Sequence, residues 1–110
     1  MNTVLVIAAG ERWSDGSLRP AIEDLLGAGA VIAELVECGV AESDCSPEAL
    51  VALTTWRAAA SLSDTVMHCS SGRELLLRGY GQDVHIALEH NTSTVAAMFV
   101  DDAFVHLELQ

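Results

Sequence analysis

The strongest constraint on the fold comes from residues 3–9, TVLVIAA, which are apolar at every position after Thr3 and rich in β-branched side chains. A strand with one wet face alternates between apolar and polar residues. A run without alternation has to be covered on both faces, as a central strand of a parallel or mixed sheet is. The segment that follows, GERWSDGS, combines two glycines with Ser14, Asp15 and Ser17 and reads as a loop at the strand's carboxyl end. In open α/β sheets ligands bind at such ends.

The remainder reads as helices followed by a hairpin. Ser17 is placed to cap a long helix running to about Cys38, with Pro20 in the first turn and Gly39 as its stop. Projected at about 100° per residue, Leu18, Ile22, Leu25, Leu26, Ile32 and Val36 gather on one face, and Arg19, Glu23, Glu34 and Glu37 on the other. Small residues from Gly27 to Ala30 predict close approach to another backbone, because mid-helix glycine otherwise only costs stability. Ser46–Pro47–Glu48 opens a second helix running towards His68. Ser71 and Glu74 have capping-box spacing for a short helix ending at Gly79 or Gly81, and another follows from about Gln82 to His90. TVAAMFV and AFVHLEL flank Asp101–Asp102 as a closing β-hairpin. The predicted architecture is a single α/β domain, a layered mixed sheet with flanking helices.

Composition narrows the function classes. Hydrophobic residues make up 51% of the 110, which excludes a disordered chain. Five arginines and no lysine stand against 16 acids, for a net charge of −11, so binding to nucleic acid or to anionic membranes is excluded. The N-terminal segment lacks a basic region, and its apolar run is too short for a signal peptide or a membrane span, which predicts a cytoplasmic protein. Cys38, Cys45 and Cys69 are widely spaced and read as free thiols, most of them buried, while the four histidines lack metal-binding spacing.

A few residues have the chemistry and the address for a site. Glu11 follows the buried run and a glycine, where it is either a functional carboxylate or a solvated loop acid. Glu23 falls on the polar face of the first helix, whereas Asp24 shares a stripe with Ala28, Val31 and Leu35 and points to a packed side. There it needs a partner, either a metal ion or an arginine such as Arg12 or Arg19. Arg12, Arg19 and Arg73 sit at loop-to-helix junctions suited to phosphate or sulfonate oxygens. Arg57 reads as a surface residue and Arg78 as a dipole partner of a helix end.

AAGERWSDGSLRPAIEDLLGAGAVIAEL followed by SSGRELLLRGYGQDVHIAL resembles the 2-phosphosulfolactate phosphatase family, specifically its C-terminal half. The resemblance implies half of an α/β/α layered fold and Mg²⁺-dependent hydrolysis of a small anionic phosphomonoester. It assigns Glu11 and Asp24 to catalysis and the metal, and Ser17, Arg19 and Arg73 to the substrate. The segments of the family's first half, of the Asp-Val-Leu-Arg-Ala-Thr and Thr-Thr-Asn-Gly-Thr types, have no counterpart here. Two classes therefore stand side by side: a phosphatase, truncated or a split subunit, and a non-catalytic assembly domain derived from that fold. Both imply association, as a homo-oligomer or with a complementary chain, and the apolar hairpin lacking Pro and Lys is the expected contact.

Overall fold

In a computed structural model of the chain, which describes residues 2–59 and 61–108, two helices make the centre of the molecule. Helix α1 spans Ile22–Glu37 and α2 spans Pro47–Ala58. The apolar stripe of α1 buries Leu26, Gly29 and Ile32, and α2 answers with Ala52 and Leu53. Val6, Leu25, Val36, Ala49 and Leu50 close around them. The start of α2 is as the sequence predicts: Pro47 opens the helix and the Ser46 hydroxyl accepts from the Ala49 N–H at 3.2 Å.

Gly29 explains the close approach. A Cβ there would stand 2.8 Å from Trp56 Cβ and 2.9 Å from the Ala52 carbonyl carbon, so only hydrogen fits against α2. Gly27, about 200° round the helix from Gly29, faces open space.

Several boundaries differ from the sequence reading. Helix α1 starts at Ile22 with Ala21 as its cap, and Ser17 caps nothing. Instead, β1 (Glu11–Arg12) and β2 (Leu18–Arg19) pair as a short antiparallel ladder, Glu11 opposite Arg19 and Arg12 opposite Leu18. Arg19 precedes Pro20, and a residue before proline is biased towards extended backbone, which delays the helix. Helix α2 stops at Ala58 rather than continuing to His68, because Ser61 caps a separate helix, α3 (Leu62–His68), accepting from the Asp64 N–H at 3.2 Å. Helix α4 (Ser70–Leu77) is capped by Cys69, whose Sγ accepts from the Gly72 N–H at 3.3 Å. The Ser71–Glu74 capping box does not form, since both side chains turn to Arg19. Gly79, at φ +84°, marks the end of α4 as expected, and α5 covers Gly81–Ala87, three residues short of His90.

Strands β3 (Val95–Val100) and β4 (Ala103–Glu108) form the predicted hairpin. Asp101 (φ 49°) and Asp102 (φ 61°) both take the left-handed conformation that a two-residue turn of the type I′ kind needs.

The chain is of mixed helix-and-strand class, but a layered sheet is not formed among the described residues. There are two separate two-stranded ladders, β1–β2 and β3–β4. Residues 3–9, expected as a central strand, lie outside both and take part in no backbone hydrogen bond among the described residues. The reason is physical: a strand exists only in a ladder, and neither ladder reaches this run.

The two mid-helix glycines give opposite expectations. Gly29→Ala forces the α1 and α2 backbones apart and should lower stability by about 1–3 kcal/mol. Gly27→Ala meets nothing and should raise it by up to about 1 kcal/mol through helix propensity. Urea unfolding midpoints of the two variants check the pair.

Candidate functional site

The site is built where residues 3–9 turn into β1. Gly10 makes that turn at φ +74°, a conformation costly for other residues, and its N–H donates to Asp24 Oδ2 at 2.7 Å. That bond pins the backbone beside Glu11 to the first turn of α1. Asp24 is half-buried, on a stripe that is not packed as expected, since Val31 is 50% exposed. The partner of Asp24 among the described residues is a backbone amide, and its carboxylate forms no ion pair with Arg12 or Arg19. Glu11 is exposed and lies opposite Arg19 in the β1–β2 ladder. Val6, Ala8 and Ala9 face Asp24, Gly27 and Val31 across a groove of about 240 Å³.

Arg19 is the best-held cation. Its side chain is only 12% exposed; Nη1 donates to Glu74 Oε2 at 3.0 Å and Nη2 to the Ser71 hydroxyl at 2.8 Å. Its guanidinium also lies 5.3 Å from the centre of the Trp13 ring. The fork thus ties β2 to α4, and Nε is buried without a partner. Glu74 is shared, because Arg78 Nη2 contacts its other oxygen at 2.8 Å. Arg73 is exposed on the same helix, about 200° round from Ser71, and is not brought to Arg19.

Ser17 sits in the β1–β2 turn. Its hydroxyl and its N–H both donate to Asp15 Oδ1, at 2.6 and 2.9 Å, and these bonds hold the Asp15 carboxyl below its usual range. Arg12 closes the same turn by donating to the Gly16 carbonyl at 2.8 Å. Glu23, expected to face water, is half-buried instead and accepts from the Cys69 thiol at 3.6 Å. Cys38, one of three free thiols, is exposed, and Cys45 and Cys69 are partly buried.

The structure therefore brings Glu11, Asp24 and Arg19 to one corner, through Gly10 and the small ladder. It leaves Ser17 at the tip of the turn and Arg73 on a separate face. Sequence reasoning missed Trp13, Cys69 and the role of Glu74. The last was within reach, since Ser71 and Glu74 at i, i+3 share a helix face and together match the fork of one guanidinium.

No group of three or more His, Cys, Asp or Glu among the described residues is placed to hold a metal ion. Asp24, whose Oδ1 takes no hydrogen bond from the described residues, and the exposed Glu11 are the two acids on either side of the Gly10 contact. This donor set suits Mg²⁺, commonly bound through one or two carboxylates with substrate phosphate and water, and it does not make a protein-only cage.

The loop after the strand-type run is thus tied to the start of α1 through Asp24 and to α4 through the Arg19 fork. The family model for 2-phosphosulpholactate phosphatase matches residues 1–102, and the chain belongs to that family. No curated protein and no solved structure is matched.

The Asp15–Ser17 turn gives a titration test. Because the Ser17 bonds favour the charged carboxylate, they stabilise the turn above the ordinary value near 3.8 and are lost as pH falls through the lowered one. In Ser17→Ala the Asp15 midpoint, followed by carboxyl NMR shifts, should move up towards 3.8. Arg19→Lys keeps the charge but cannot span both Ser71 and Glu74, so it should lose about 1–2 kcal/mol in urea unfolding, nearly as much as Arg19→Met.

Proposed function

We propose that this chain carries a 2-phosphosulpholactate phosphatase-like activity, the hydrolysis of a small anionic phosphomonoester supported by Mg²⁺. Family membership over residues 1–102 supports the activity, and the observation that carries the site is the Gly10–Asp24 bond, which ties the backbone next to Glu11 to the Asp24 carboxylate. These two residues would hold the metal, which when bound offsets charge on the phosphoryl oxygens. Glu11, exposed just after the Gly10 turn, accepts the proton of the attacking water. Water adds to phosphorus, the bond from phosphorus to the ester oxygen breaks, and the leaving alcohol takes up a proton. Arg19, held in place by Glu74 and Ser71, receives the anionic group, while Ser17 and Arg73 lie apart from it. In a chain of net charge −11, such local cations are needed to draw in an anion at all. We place this activity in the cytoplasm; no helix among the described residues is long and apolar enough to cross a membrane.

A second reading, a non-catalytic assembly domain that keeps the fold elements of the family, is favoured by one observation. Large apolar side chains stand exposed along residues 3–9 and the β3–β4 hairpin, among them Leu5 (78%), Ile7 (80%) and Phe104 (76%).

Phosphate release from an acidic phosphomonoester, with Mg²⁺ and after its removal by chelation, separates the two. The phosphatase reading expects Mg²⁺-stimulated release that falls at least about tenfold in Asp24→Asn and in Glu11→Gln. Release at the uncatalysed rate under both conditions supports the assembly domain instead.

A further inference from the structure

Two parts of the molecule are built as sheet components and lack the rest of a sheet. Residues 3–9 form no ladder, and their backbone groups are unpaired among the described residues. Strands β3 and β4 pair with each other alone and do not pack substantially on the helices. Their register puts Ala96, Met98, Val100, Ala103, Val105 and Leu107 on one face, all apolar. On the other face Phe99 and Phe104 stack with ring centres 5.1 Å apart. A hairpin with one wholly apolar face, a second face that joins the aromatic pair to the register positions of His106 and Glu108, and two open edges lacks a further strand and a covering layer. The run 3–9 lacks a ladder and is of matching length.

The missing area has a definite size. The chain exposes 8458 Å², about 2,600 Å² more than the roughly 5,800 Å² of a folded monomer of its mass. Its radius of gyration is 15.7 Å, against about 13 Å for a compact chain of this length. Burying that excess on two chains gives an interface on the order of 5,000 Å², the size of obligate homodimers. Residues 3–9 and β3 contain no Asp or Glu despite 16 acids overall, and the acids of the hairpin stand at its turn, Asp101 and Asp102, and at its end, Glu108.

We infer that two copies of this chain form a two-fold dimer by reciprocal strand addition, the run 3–9 of each pairing with a free edge of the β3–β4 hairpin of the other. The two surfaces are different and each supplies what the other lacks, so the contact closes when made twice about a two-fold axis. The dimer does not depend on the phosphatase reading, and its test reads association rather than turnover.

Light scattering of the full chain at micromolar concentration should give about 23 kDa, twice the 11.6 kDa chain. Hydrogen exchange should show the amides of residues 3–9 and of the hairpin protected together, and both released on dilution. Leu5→Pro, which removes a donor from the run, and Phe99→Lys, at a side chain already 60% exposed and away from the helix pair, should each weaken the dimer at least about a hundredfold with helical circular dichroism retained. Mixing the two variants should restore association, because the intact run of one copy meets the intact hairpin of the other. A monomer at high micromolar concentration, an open series of larger assemblies, association only with a different polypeptide, a dimer whose residues 3–9 exchange freely, or single variants that still dimerise would each overturn the inference.

Discussion

Everything in this molecule hangs on the contact that Gly29 permits. Because nothing but hydrogen stands between α1 and the Ala52 backbone, the two helices approach closely enough for Leu26, Ile32 and Leu53 to share one small core. The remaining elements are attached to that pair by individual polar contacts. The loop after residues 3–9 is held by Asp24, at the start of α1, and α4 is tied to β2 by Arg19 and to α1 by the Cys69–Glu23 contact. A large apolar core would make each of those contacts incidental. With few side chains fully buried, they determine where the loop and the short helices lie.

The scarcity of cations gives this arrangement its character. Arg12 closes the β1–β2 turn, Arg19 spans two elements, Arg57 pairs with Glu42 at 2.7 Å, and Arg78 shares Glu74 with Arg19. Among the described residues only the Arg73 side chain, of the five arginines, makes neither a hydrogen bond nor an ion pair. Four of five guanidiniums thus serve the fold, and a site for anions has to draw on groups already engaged. Arg19 is the clearest case, since both its terminal nitrogens are occupied by protein acceptors while Nε has none.

Local chemistry was legible in the sequence wherever a single residue decides the outcome. Ser46 before Pro47, the Asp101–Asp102 turn and the apolar stripe of α1 all read correctly, because capping, turn geometry and helical periodicity act within a few residues. That periodicity did not separate Asp24 from Glu23, since both are half-buried. What was not legible depended on partners far along the chain. Arg19 turns to Glu74 and Ser71, which removes a capping box more than fifty residues along the chain. The β-branched character of residues 3–9 states a preference, and pairing requires a second strand that the preference cannot supply.

The hairpin has a kinetic consequence. Its turn is closed by two adjacent left-handed residues, and every cross-strand pair from Val95–Glu108 to Val100–Ala103 joins positions close in sequence. Such a unit zips on a timescale of about 1–10 μs without waiting for the helix pair, whose contacts span longer loops. An isolated two-stranded ribbon is marginal in water, however, so it opens and recloses repeatedly until its faces are covered. Early in folding, then, the stickiest surface of this protein is also among the first to be assembled, and the rate at which it is covered sets how long a newly made chain is exposed to aggregation.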